Sequence, residues 1–158
     1  MAKLVDLQGK WAAAIGRAFV AFGSIEHTTV VCLRNIPRDN LQTFARSLKL
    51  VPRVELLREL LAPYEQPEAA QLASVLGQVK ALAPTRNLIA HNPLVLEFYE
   101  DPNGGYTFRE SIAAIHKEGH KITLGEVEQF ASASESLATN LIVASTAAFG
   151  ALGVTARA

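Results

Sequence analysis

Cysteine is nearly absent: Cys32 stands alone, so no intramolecular disulfide can form. Its apolar helical surroundings read as those of a buried structural thiol. Neither sign of charge is in excess, since 15 Lys and Arg balance 15 Asp and Glu. A neutral chain lacks the general basic footprint of a polyanion binder, so any RNA or DNA contact has to come from a local patch. No apolar run is long enough for a membrane span. The longest weakly polar stretch, LIVASTAAFGALGV, includes Ser and Thr and reads as a packing helix. The N-terminal MAKLVDLQGKW has neither the apolar segment nor the small-residue cleavage site of a signal peptide, which points to a cytoplasmic protein. There is no glycine-rich phosphate loop, which argues against a P-loop enzyme, and no cofactor is called for; Asn103-Gly104-Gly105 reads as a turn. Internal repeats and low-complexity linkers are missing too.

What is present suits one domain over residues 1–158. The chain is 49% hydrophobic and 19% charged, enough apolar material for a real core. From about Asp6 to Leu33, the residues Trp11, Ile15, Phe19, Phe22, Ile25, Val30 and Leu33 recur mostly at three- and four-residue steps, the helical period. A shorter helix is expected over Leu41 to Leu48, with Asp39 or Asn40 as N-cap. Pro52 and Pro67 fit the first turns of two further helices. The second of these meets Pro84, where it either kinks or restarts. Asn92-Pro93 should stop it. VLEFYE, DPNGG and YTFRESIA then give a β-hairpin signal, and another extended piece is expected over Ile115 to Ile122. Thr123 and Glu126 have capping-box spacing and open a last helix through Phe149. The expected fold is mainly α, with a β-insert at about 94–122 before the last long helix.

One stretch carries chemistry. Thr85 to Pro93 reads TRNLIAHNP and places an arginine, an asparagine and a histidine together near a helix end. Asn87 and His91 share a helix face, whereas Arg86 and His91 differ by about 140° around the axis. A long arginine side chain, or a distortion near Pro84, is needed for both to reach one cleft. Such a trio suits metal-free RNA cleavage. A histidine can move the proton of a ribose 2′-hydroxyl, and an arginine can stabilise charge on the phosphoryl oxygens. The plainer reading is a helix end, with Arg and His interacting with the last carbonyls and the dipole.

Arg86-Asn87-Leu88-Ile89-Ala90-His91 resembles the signature of the HEPN domains (higher eukaryotes and prokaryotes nucleotide-binding), and Phe22-Gly23-Ser24-Ile25-Glu26 is similar to the first-helix segment of many bacterial members. The resemblance covers the helical order of most of the chain, with the hairpin as a variable decoration. Pro84, just before the arginine, departs from the pattern. The resemblance implies an up-and-down helical bundle and a homodimer. It also implies metal-independent endoribonuclease activity through Arg86 and His91, with Asn87 at the matching polar position. Many such proteins are toxins or phage-defence components beside a nucleotidyltransferase-like antitoxin. Others have lost catalysis and serve as modules binding a partner protein or nucleotide.

Glu26 shares a largely apolar helix face with Phe22 and Val30, where a buried carboxylate needs a partner. It is expected either to pair with Arg86 and orient it, or to reach solvent at the rim. The stretch from Arg34 to Arg58 has the strongest charge bias in the chain. Arg34, Arg38, Arg46, Lys49 and Arg53 are its candidates for guiding an RNA backbone, unless they are only solvated helix faces. His116 and His120 lie in HKEGH, which is not the zinc-protease order, and two histidines without further ligands make no metal site.

Overall fold

One buried face of helix α1 (Lys10–Asn35) carries Trp11, Ala14, Ala18, Phe22, Ile25, Cys32 and Leu33, at the steps that the helical period requires. The computed structural model describes residues 5–36, 47–115 and 119–154. Among them α2 (Leu50–Leu61), α3 (Pro67–His91), β1 (Leu94–Glu100), β2 (Tyr106–Ala113), β3 (Lys121–Ile122) and α4 (Leu124–Ala151) follow in order. Helices α1 and α3 both pack on α4, and α2 packs on α3 and α1. The protein is mainly helical, with a small antiparallel sheet in the order β1-β2-β3.

Small residues are buried on both partners of the α1–α4 contact, including Ala14 and Ala18 on α1 and Ala131, Ser134 and Ala138 on α4. They let the two backbones approach closely. A larger pair fills the space between them where Phe22, midway along α1, stacks on Phe130 of α4 with ring centroids 5.8 Å apart. Cys32 is fully buried, and desolvation pushes its thiol up to about 12 despite an opposing hydrogen bond with Ser145. Such a thiol is a small hydrophobe and a poor nucleophile.

Several boundaries differ from the periodic pattern, each for a local reason. Helix α1 starts at Lys10, not near Asp6. Asp6 has a positive φ of 52°, and its carboxylate accepts from the backbone N–H groups of Trp11 and Ala12, both at 3.0 Å. It therefore caps the helix from outside, and Gly9, at φ 69°, makes the turn between them. Glu110 of β2 accepts from the Trp11 indole N–H at 2.8 Å and from the Asp6 backbone N–H. Helix α3 has Pro67 in its first turn and runs through Pro84 to His91 without restarting. Pro84 is exposed, so the helical hydrogen bond that it removes is lost on the solvent side.

In the hairpin, the register runs from Leu94 opposite Ile112 to Glu100 opposite Tyr106. Its turn is closed by Asp101 N–H donating to the Gly105 carbonyl at 2.7 Å, with Gly104 at φ 80°. The extended piece expected over Ile115 to Ile122 shortens to β3, because Ile115 is in a turn; residues 116–118, with His116, lie outside the described residues. The helix expected over Leu41 to Leu48 falls outside them as well, apart from Ser47 and Leu48, which are not helical. Helix α4 opens with the expected capping box: Glu126 N–H donates to Thr123 Oγ1 at 3.3 Å, and Thr123 N–H to Glu126 Oε2 at 2.7 Å. Among the described residues, no helix is long and apolar enough to cross a membrane.

Candidate functional site

Three helices bound a cleft of about 630 Å³. The middle of α1 contributes Phe22 and Glu26, the start of α2 contributes Lys49 to Arg53, and the last turns of α3 contribute Arg86, Asn87 and His91. The two residues separated by about 140° around the α3 axis thus line one space, because the arginine side chain is long enough to come round the helix.

Arg86 is held by α1. Its Nη2 lies 3.6 Å from Glu26 Oε1, and its guanidinium carbon stands 5.5 Å from the centre of the Phe19 ring. Nη1 donates to Asn87 Oδ1 at 3.3 Å. A separation of 3.6 Å makes an ion pair but not a hydrogen bond. Glu26 therefore fixes the cation without consuming that N–H donor. The Arg86 and Glu26 side chains are 29% and 42% exposed, so the pair itself adds little stability, at most about 1 kcal/mol. Its use is positional: the ring below and the carboxylate beside it restrict the plane of the guanidinium. Glu26→Gln is accordingly expected to leave the melting temperature almost unchanged. Any phosphodiester cleavage dependent on Arg86 should fall by up to about 10²-fold, the scale of a misplaced reacting group. A variant with both stability and cleavage intact would remove Glu26 from the site.

The opposite wall is a helix start. Lys49 is the N-cap of α2 and offers no side-chain cap, whereas Ser, Thr, Asp or Asn usually supplies an acceptor there. The N–H groups of Leu50 and Val51 have no acceptor within the helix. These donors, the positive end of the helix dipole and the Lys49 ammonium meet Arg86 and His91 across the cleft. Helix starts of this kind suit phosphate groups.

Arg53 was expected as a nucleic-acid contact, yet its donors turn inward. Nη1 donates to the Glu26 carbonyl at 3.4 Å and to Thr29 Oγ1 at 3.2 Å, while Nη2 donates to the Leu48 carbonyl at 2.7 Å. It fastens the start of α2 to α1, so it shapes the wall that Lys49 occupies. Arg34 sits in the last turn of α1 and does not line the cleft. Arg38 and Arg46 lie outside the described residues. Of the basic stretch, therefore, Lys49 and Arg53 reach the cleft among the described residues.

His91 is the last residue of α3 and is exposed. Its position is set by Asn92, whose role goes beyond the helix stop that Asn92-Pro93 implies. Asn92 Nδ2 donates to the Leu88 carbonyl at 2.7 Å, and its Oδ1 accepts from Ile115 N–H at 2.8 Å. The available signal was chemical: an amide at a helix C-terminus can serve both a free carbonyl and a neighbouring strand exit. Among the described residues no cluster of three or more His, Cys, Asp or Glu could hold a metal ion. No family model, curated protein or solved structure matches this chain.

Proposed function

We propose that the protein is a metal-independent endoribonuclease of HEPN type, acting in the cytoplasm as a homodimer. A toxin or phage-defence role, with a nucleotidyltransferase-like antitoxin as partner, is the matching context. One observation carries the reading: Arg86, Asn87 and His91 open into the same cleft as Lys49 and the uncapped start of α2. Such a cleft offers fixed donors and positive charge to a phosphodiester, with a proton carrier at its edge.

The chemistry is an internal displacement. His91 takes the proton from a ribose 2′-hydroxyl, and the 2′-oxygen attacks the adjacent phosphorus. The bond from phosphorus to the 5′-oxygen breaks, that oxygen takes up a proton from solvent as it leaves, and His91 releases the proton it accepted to solvent. Arg86, Lys49 and the α2 amides stabilise the charge on the non-bridging oxygens, and Asn87 positions the guanidinium through its side-chain carbonyl. The products are a 2′,3′-cyclic phosphate and a 5′-hydroxyl.

The purified protein is expected to cut RNA in the presence of EDTA and to leave 2′,3′-cyclic phosphate ends. It should spare DNA, which has no 2′-hydroxyl. Mapping the ends by phosphatase and kinase treatment checks this. Cleavage that stops on chelation, or ends carrying 5′-phosphate, would exclude the mechanism.

A further inference from the structure

The β-hairpin ends in an aromatic patch that the cleft does not use. Phe98 of β1 lies opposite Phe108 of β2, and the two are 69% and 66% exposed; Tyr106, nearby on the same face, is 73% exposed. This face begins in the core, where Leu94 faces a buried Ile112, and then leaves the bundle. At 150–250 Å² for an aromatic side chain, the three rings expose about 400 Å², roughly half of one partner's share of a standard interface.

Beside the patch, β1 is an edge strand, with no strand on its outer side among the described residues. Hydrogen bonds at both ends of the hairpin fix which of its residues face outward. Asp101 N–H donates to the Gly105 carbonyl at 2.7 Å, and Ala113 N–H to the Pro93 carbonyl at 3.3 Å. Pro93 and Asp101 thus bond toward the partner strand. Because the pattern alternates along an antiparallel pair, Val95, Glu97 and Tyr99 do the same. Leu94, Leu96, Phe98 and Glu100 point their backbone groups at the open edge.

Charge argues against nucleic acid as the occupant. The described residues of the sheet, with its hairpin turn, carry Glu97, Glu100, Asp101 and Glu110 against Arg109 and Lys121, the latter paired with Glu97, so the balance stays negative. An RNA backbone would be repelled from it.

We infer that a second copy of the chain covers this surface, its β1 pairing antiparallel with β1 about Phe98 to make one continuous sheet. A two-fold axis through such a sheet must lie on one residue pair, since a slip by one residue would put like side chains on opposite faces. Centring on Glu97 sets two carboxylates directly opposite each other, which is destabilising. Centring on Leu96 drives the end of α3 towards the other copy's Tyr99 and keeps the two sets of rings apart. Centring on Phe98 joins the rings in one row, Phe108–Phe98–Phe98–Phe108. It also sets Glu97 opposite Tyr99, whose hydroxyl already donates to that carboxylate within the strand at 3.1 Å. The outward N–H and C=O groups of Leu96, Phe98 and Glu100 then find partners. This contact does not depend on the cleft's cutting RNA.

The test uses the full chain. Sedimentation across a concentration series should show a monomer–dimer equilibrium for the wild type. Phe98→Lys should give a monomer that melts where the wild type melts at dilutions at which it too is monomeric, because the side chain stands outside the core and only the dimer's contribution is lost. In the proposed register residue 98 faces its own copy at a Cα separation of about 5.5 Å, within disulfide range. Phe98→Cys should therefore form a covalent dimer on mild oxidation, whereas Glu100→Cys should not; the native Cys32 is buried and takes no part. A wild type monomeric at every concentration would overturn the inference, even if the patch then captured a different protein. So would a dimer that survives Phe98→Lys, or cross-linking through Glu100→Cys but not Phe98→Cys.

Discussion

His91→Ala is expected to slow RNA cleavage by about 10²–10⁴-fold, the loss that follows removal of a positioned general acid–base group. The change should fall on kcat more than on KM, since the histidine acts on a proton in flight. His91 is exposed at the end of α3, so its removal leaves no cavity and the melting curve should not move. Arg86→Ala should cost about 10²–10³-fold by removing a charge-stabilising donor. Arg86→Lys should not restore it, because an ammonium lacks the planar fork that lies against Phe19 beside Glu26. Single-turnover cleavage of a labelled RNA, with circular dichroism melts on the same preparations, checks all three variants. The cellular counterpart is growth arrest on expression, relieved by His91→Ala. An interaction module without catalysis would show neither the arrest nor its relief, and undiminished cleavage by the His91 variant would remove this cleft from consideration.

Phe22→Ala should lower stability by about 3–5 kcal/mol, the usual cost of emptying an aromatic site in a core. The ring is 1% exposed and stacked on Phe130, and it also forms part of the cleft wall. Its loss removes contact on both sides, so the surroundings have little with which to refill the space. In a protein of this size the corresponding fall in Tm is roughly 10 °C. Urea titration and calorimetry measure the change. A loss below about 1 kcal/mol would mean that the α1–α4 layer can collapse around the gap, contrary to the close packing of its small residues. The two substitutions separate chemistry from architecture: His91→Ala changes rate without stability, and Phe22→Ala changes stability first.

The helices were legible where periodicity and punctuation agreed. Pro67 at the start of α3, Asn92-Pro93 at its end and the Thr123–Glu126 capping box each impose a local backbone geometry, and each reappears in the structure. Pro84 was ambiguous for a physical reason. Its cost depends on whether the lost hydrogen bond faces water or protein, and sequence does not carry that orientation. The start of α1 was misplaced because Asp6 caps it across a turn, through contacts that periodicity cannot register. At the site, the pairing of Glu26 with Arg86 could be anticipated from a carboxylate on an apolar face. The inward turn of Arg53 could not, since its acceptors are two backbone carbonyls and a threonine hydroxyl made available only by the packing of α2 on α1.

The hairpin looks expendable in the sequence, a stretch of strand between two long helices. Its root is tied at two distant points. Glu110 holds Trp11 and Asp6 at the beginning of α1, and the segment after β2 meets Asn92 at the finish of α3 through Ile115. Those are the helices that bring Glu26 and His91 to one cleft. The insert therefore works as a cross-tie: its base joins the start of α1 to the finish of α3 and so links two of the helices that line the cleft.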